Sequence, residues 1–180
     1  KNKIVEKIFN VIYTDSLTET LNRAAYDDRL KKLRKPRTVL DNVTVVIVCV
    51  DDVKELKNAF GQNTTDEAVK CTADTMKKTL GEKSDIFRIN EDTFVCFSDK
   101  NILSYVAQFM DYMSFENRDR CLKINASVGY GVFDRKYHKT IDDLIKDCEK
   151  KFQQVFSEMT FGVKYIYEVS NLAETINQAN

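Results

Sequence analysis

The stretch DIFRINEDTFVCF, residues 85–97, decides the fold. Two runs of alternating apolar residues flank the polar segment Asn90-Glu91-Asp92, a pattern that reads as an antiparallel β-hairpin. Tight hairpins usually place glycine or Asn-Gly at the tip, whereas this one places two acids there.

Outward from the hairpin, VTVVIVCV (Val43 to Val50) is a β-branched run too short for a helix and reads as a strand buried on both faces. Between the two lie a short helix, DDVKELKNAFG, ended by Gly61, and a longer one, EAVKCTADTMKKTLG, ended by Gly81. Thr65 or Asp66 is the expected cap of the longer helix. Towards the N-terminus, NKIVEKIFNVIYTD sets Ile4, Ile8, Val11 and Ile12 on one helical face. Asp15 or Ser16 is then expected to cap LTETLNRAAYDDRLKKLRK, which stops before Pro36.

Downstream, NILSYVAQFMDYMSF reads as an amphipathic helix and CLKINASVGYGVF as a strand. TIDDLIKDCEKKFQQVFSEM reads as a capped helix, VKYIYEV as a short last strand, and NLAETINQAN as a frayed tail. Strands alternating with helices around one hairpin predict a single α/β (α+β) domain with a mixed sheet.

The composition narrows the function classes. The chain has 180 residues and balances 28 Lys and Arg against 28 Asp and Glu, so no global field points to nucleic acid or to a charged partner. The one very basic stretch, RLKKLRKPR (Arg29 to Arg37), reads as a solvated helix end. The five cysteines, Cys49, Cys71, Cys96, Cys121 and Cys148, form no CxxC pair and read as small buried hydrophobes in a reducing cytoplasm. His138, the one histidine, falls in a turn and is expected at the surface. No signal peptide or membrane-spanning apolar run is present, so no membrane contact is expected of this segment. The start at Lys1, without Met, sets the expectation of a longer protein whose remainder carries a membrane or sensor domain.

With the elements placed, several motifs fall into a known order. YTDSLTETLNRAAYDDRL supplies Asp15, then Leu17-Thr18, then Leu21-Asn22-Arg23. Asp51, Lys54, Gly61 and Asp66 follow, then Arg88 ahead of Asn90-Glu91-Asp92-Thr93-Phe94, and finally NASVGYGVF with Ser127 and Gly129. Over residues 14–168 this resembles the GGDEF family of diguanylate cyclase domains. The resemblance implies a fold like that of nucleotide cyclases and polymerase palms, a mostly antiparallel central sheet surrounded by helices. It divides the chain into a linker or signalling helix (1–14), a degenerate GGDEF domain (15–168) and a tail (169–180).

Family members condense two GTP into cyclic di-GMP, with each of two facing domains holding one GTP. Such phosphoryl transfer rests on positioning and on charge neutralisation by divalent metals, and Mg²⁺ prefers carboxylate oxygen. By the resemblance, the metal carboxylates fall on Cys49 and Asp92, so one of the two is a thiol. Asp51 and Asp52 are the candidate substitutes, with Asp51 on the face of Cys49 if the strand continues. Thr93 is neutral at the next acidic position, leaving Asp92 as a vestigial catalytic position. Asn90 and Glu91 replace two glycines that permit positive φ and close approach of a nucleotide.

The weak nucleotide contacts implied are Lys54 near the phosphates, Lys57 at a base-reading Asn position, Asp66 as second base contact, and Asn90. Asp66 has a second reading as a helix cap, and Lys54 as a solvated lysine. Late in the chain, Phe156 and Val163 stand where the family has Lys and Arg, with Lys164 as a substitute. The product-inhibition motif Arg-x-x-Asp is replaced by Gly81-Glu82-Lys83-Ser84.

These departures favour a degenerate GGDEF domain acting as a regulatory, nucleotide-sensing or protein-interaction module in cyclic di-GMP-type signalling. No cofactor is then expected; Mg²⁺ and GTP enter only with residual activity. The partners left open are a second copy paired through the first helix, a partner signalling domain, and weakly bound GTP or another guanine nucleotide. The alternative is an active diguanylate cyclase with altered metal ligands. A cyclic di-GMP receptor is disfavoured by the missing Arg-x-x-Asp.

Overall fold

The computed structural model describes residues 2–119 and 124–151. Its elements in chain order are α1 (Lys3–Tyr13), α2 (Arg23–Leu33), β1 (Thr44–Val50), α3 (Val53–Phe60), α4 (Gln62–Leu80), β2 (Asp85–Arg88), β3 (Thr93–Ser98), α5 (Leu103–Asp119) and β4 (Ala126–Val132), then α6 over 141–151. The expected strand VKYIYEV, the tail, Cys121 and the positions of Phe156, Val163 and Lys164 lie outside the described residues.

The strands form one sheet in the order β2-β3-β1-β4, with every neighbouring pair antiparallel. The parallel component of the expected mixed sheet is, among the described residues, a single bridge from Leu21 to Phe87. β1 is central because its run of β-branched residues can be buried on both faces, and Val45, Val46 and Val48 are fully buried. Alternation splits its side chains. Val46, Val48 and Val50 join Phe94, Cys96 and the inner faces of α4 and α5. Val45 and Ile47 join Phe87, Val95 and Phe97 under α2 and α6. Tyr26 of α2 stacks on Phe97 and meets Phe87 edge-on, closing that second layer. Gly131 of β4 lets α6 sit close, since a Cβ there would lie 3.0 Å from Leu144 Cδ1.

Two helix starts differ from expectation. α2 begins at Arg23, capped by Asn22, whose side chain accepts from the Ala25 amide. Asp15 and Ser16 therefore cap no helix; Asp15 instead closes a turn, accepting from the amide and hydroxyl of Thr18. That turn takes Leu17 to Thr20 out of the helix. α4 starts at Gln62, because Gly61 ends α3 and begins α4 at φ 87°, a left-handed corner open to glycine. Thr65 and Asp66 thus sit inside the first turns, and Asp66 accepts from Gln62 Nε2 rather than capping.

His138 is also placed differently, at 8% exposure. The turn after β4 folds back on α6, so Nδ1 accepts from the Asp134 amide while the ring meets Phe133. Cys71, Cys96 and Cys148 are buried as expected, whereas Cys49 is half-buried. No described helix is long and apolar enough to cross a membrane.

Candidate nucleotide site

The site is built where β1, β3 and β4 end together. The register pairs Cys49 with Thr93 on one side and with Ser127 on the other, and cross-strand partners share a face. Beyond the last strand residue, the Asp51 amide donates to Asn125 O at 2.8 Å, so the ladder carries on past Val50. This puts the Asp51 carboxylate where Ser127 Oγ donates to both its oxygens, at 2.9 and 3.0 Å. Asp51 therefore lies on the face of Cys49. Asp52, next along, adopts φ 56° and starts α3 without a side-chain cap, an uncommon backbone for a non-glycine residue.

The hairpin tip reaches this edge through Val50 N donating to Asp92 O at 2.8 Å. Ile89 N donates to Thr93 O and closes the turn over Asn90, Glu91 and Asp92. None of the three has positive φ. The turn does not use the left-handed freedom that glycine would supply, so Asn90 and Glu91 fit it without strain.

Behind the tip, Arg88 donates through Nη2 to Glu91 O and through Nη1 to Asp15, an ion pair of 3.1 Å with both side chains mostly buried. Burial would raise the Asp15 pKa, yet the bonds from Thr18 and Arg88 hold it below the usual carboxylate value. The hairpin and the Asp15 turn are thus tied together, and Lys77 Nζ adds a bond to Thr18 O at 2.9 Å. Sequence reasoning noted Asp15 and Arg88 as motif residues but not their pairing across 73 positions. The same holds for Ser127, whose role as donor to Asp51 emerges only from the β1–β4 register.

The electrostatics are those of crowded acids around a neutral sulfur. Burial pushes the Cys49 thiol up to about 11, and the charges of Asp92 and Asp51 add to the effect. Burial pushes Asp51 up to about 6; the Ser127 bond opposes this while Asp52 and Asp92 reinforce it. Thr93 Oγ1 donates to Asp92 Oδ1 at 2.7 Å and lies 3.9 Å from Cys49 Sγ.

Lys54 and Lys57 stand three positions apart on α3, both exposed and with no ion pair among the described residues. Asp66 is half-buried on the adjoining α4, and Asn90 is exposed at the hairpin tip. The fold therefore gathers Cys49, Asp51, Asp92, Thr93 and Ser127 at one edge and sets the two lysines on the helix that follows.

The amino-acid sequence matches the family described as "Diguanylate cyclase, GGDEF domain" over residues 12–160. The chain belongs to the GGDEF family. No curated protein sequence matches it closely. Solved structures like it include the coiled coil and GGDEF domain of DgcB from Caulobacter crescentus in complex with c-di-GMP. That pair shares 18% identity over 84% of each chain, with a TM-score of 0.69. Diguanylate cyclase SiaD of Pseudomonas aeruginosa, solved with its activator SiaC, shares 18% identity over 87% of this chain and 62% of its own, at TM-score 0.69. The S helix-GGDEF-EAL structure of Vibrio cholerae LapD bound to c-di-GMP shares 20% identity over 86% of this chain and 37% of its own, at TM-score 0.66. At these identities the likeness establishes the fold, a cyclase-type GGDEF architecture.

The divalent cations implied by the family's chemistry meet a poor donor set in this GGDEF domain. Mg²⁺ is a hard cation that prefers oxygen ligands, and the side chain at the end of β1 is the sulfur of Cys49. The Ser127 hydroxyl bonds the Asp51 carboxylate and the Thr93 hydroxyl bonds Oδ1 of Asp92. Among the described residues, no three His, Cys, Asp or Glu side chains gather as a metal ion requires.

Proposed function

We propose that this GGDEF domain works without chemistry, as a regulatory module of a cyclic di-GMP signalling protein. The observation that carries the reading is the register that sets the Cys49 sulfur, a soft donor, at the strand end between Thr93 and Ser127, where a hard cation would need oxygen. Preorganised charge supplies most of the rate in phosphoryl transfer, and removing a metal ligand forfeits several kcal/mol of it. A triphosphate brought here without cations would also meet the carboxylates of Asp51, Asp52 and Asp92 and the nearby Glu91.

Two features support a sensing and assembly role. Lys54 and Lys57 are solvent-facing cations, and Asp66 is not spent on a helix cap. With Asn90 they form the set proposed to hold GTP or another guanine nucleotide weakly. α1 buries none of its residues, and Ile4, Val5, Ile8, Phe9, Val11 and Ile12 are each at least half exposed. We propose that this apolar face pairs with a second copy or a partner signalling domain.

Incubating the protein with GTP and Mg²⁺ or Mn²⁺ and resolving the products by mass is the test. The expected result is unconverted GTP. Cyclic di-GMP formation that disappears in Asp92→Ala would favour an active cyclase with altered ligands and overturn the proposal.

A further inference from the structure

The end of the sheet opposite the hairpin tip carries a separate surface. There β1 begins, β4 ends, α2 gives its C-terminus and α6 its N-terminus. Two loops meet at this end, residues 34–43 and 133–140. Phe133 N donates to Val43 O at 2.8 Å, Arg135 forks onto Asp41 at 2.8 and 2.7 Å, and Arg34 holds Asp142 at 2.6 Å. Arg34 and Arg135 are therefore spent on joining the loops.

The remaining cations are not spent. Lys32, Lys35, Arg37, Lys136 and Lys139 are exposed, and no carboxylate pairs with them among the described residues. Asp134 accepts from Lys136 N, and Asp143 from Lys139 N and Thr140 N; both carboxylates keep their charge, so they offset two of these five cations and leave the excess positive. The first loop has a fixed form, with Arg37 at φ 69° and Thr38 Oγ1 donating to Lys35 O at 2.8 Å. From this basic field two apolar side chains project, Val39 at 74% and Tyr137 at 69% exposure, with Lys136 lying over the Tyr137 ring.

We propose that this end of the molecule docks peripherally on an anionic lipid bilayer. Unpaired lysines and arginines near a negatively charged surface each add to its attraction. Single aliphatic and aromatic tips enter the headgroup boundary, where an aromatic ring with a polar end is favoured. A protein partner would call for a contiguous apolar centre, whereas Val39 and Tyr137 stand on separate loops. The absence of a membrane-spanning run, which sets the expectation of no membrane contact, bears on insertion and not on peripheral docking. The zero net charge is a sum over the chain that leaves a local basic excess here.

The test is cosedimentation of the full chain with phosphatidylcholine vesicles, with and without phosphatidylglycerol, at low and high salt. Binding is expected to the anionic vesicles alone and to fall with salt. Lys32→Gln, Lys35→Gln and Arg37→Gln together are expected to weaken it about a hundredfold, at roughly fivefold per cation. All three side chains are exposed and unpaired, so an unchanged thermal melt accompanies that loss. The chain has no tryptophan. In Tyr137→Trp the single indole is thus expected to shift its emission to the blue on anionic vesicles. Absence of anionic-vesicle binding, binding unaffected by the triple variant, or an unshifted indole would each overturn the proposal. Binding to polyglutamate without vesicle binding would reassign the surface to an acidic protein.

Discussion

At Asp51 a single carboxylate records the state of the whole site. Its folded-state pKa, about 6, lies above the ordinary value of 3.8, so the folded protein holds this proton more tightly than the unfolded chain does. Well below pH 3.8 both states are protonated and nothing is lost. As the pH rises from about 4 to about 6 the unfolded state ionises first, stability falls, and the full penalty persists above that window. Asp51→Asn is therefore expected to stabilise the protein by about 1–2 kcal/mol at neutral pH, allowing for solvent screening, and by little at pH 3.5. Urea melts at the two pH values check the difference. Arg88 makes the opposite case, because its loss strands Asp15 in a mostly buried turn. Arg88→Ala is expected to cost about 2–3 kcal/mol in urea unfolding. Cys49→Asp combined with Thr93→Glu restores oxygen anions to the strand end, and calorimetry is expected to detect Mn²⁺ binding in that variant and none in the parent.

The element scale is governed by junctions. α3 and α4 turn on the single residue Gly61, where an added Cβ would meet nothing, so the demand is conformational and not steric. Gly61→Ala is expected to cost about 1–2 kcal/mol, read as a drop in denaturation midpoint, because an L-residue resists that backbone. α2 owes its start to Asn22, which caps the helix and also donates to Ile12 O at 2.7 Å. In the sequence Asn22 competes as a cap with Asp15 and Ser16, so local pattern alone does not choose between a start at Arg23 and one at Leu17. The Asp15 turn that prevents the earlier start is held by Arg88 and Lys77, distant in sequence.

For the molecule as a whole, what matters is which surfaces remain open. α1 buries none of its residues, which leaves its apolar face exposed. If a second copy covers it, Ile8→Glu is expected to convert a concentration-dependent dimer into a monomer by light scattering, with the thermal melt of the domain retained. The hairpin edge with its neutral sulfur and the basic loop end lie at opposite ends of the same strands.

The amino-acid sequence by itself determined the hairpin, the doubly buried β1, the glycine that ends α3 and the family. Those are matters of residue identity and of short-range periodicity, which need no partner to be read. Only the tertiary structure decided that Ser127 binds Asp51, that Arg88 holds Asp15 and that His138 is buried. Each depends on strand register or chain folding that brings residues far apart in sequence within a few ångströms, and no local pattern encodes such a distance.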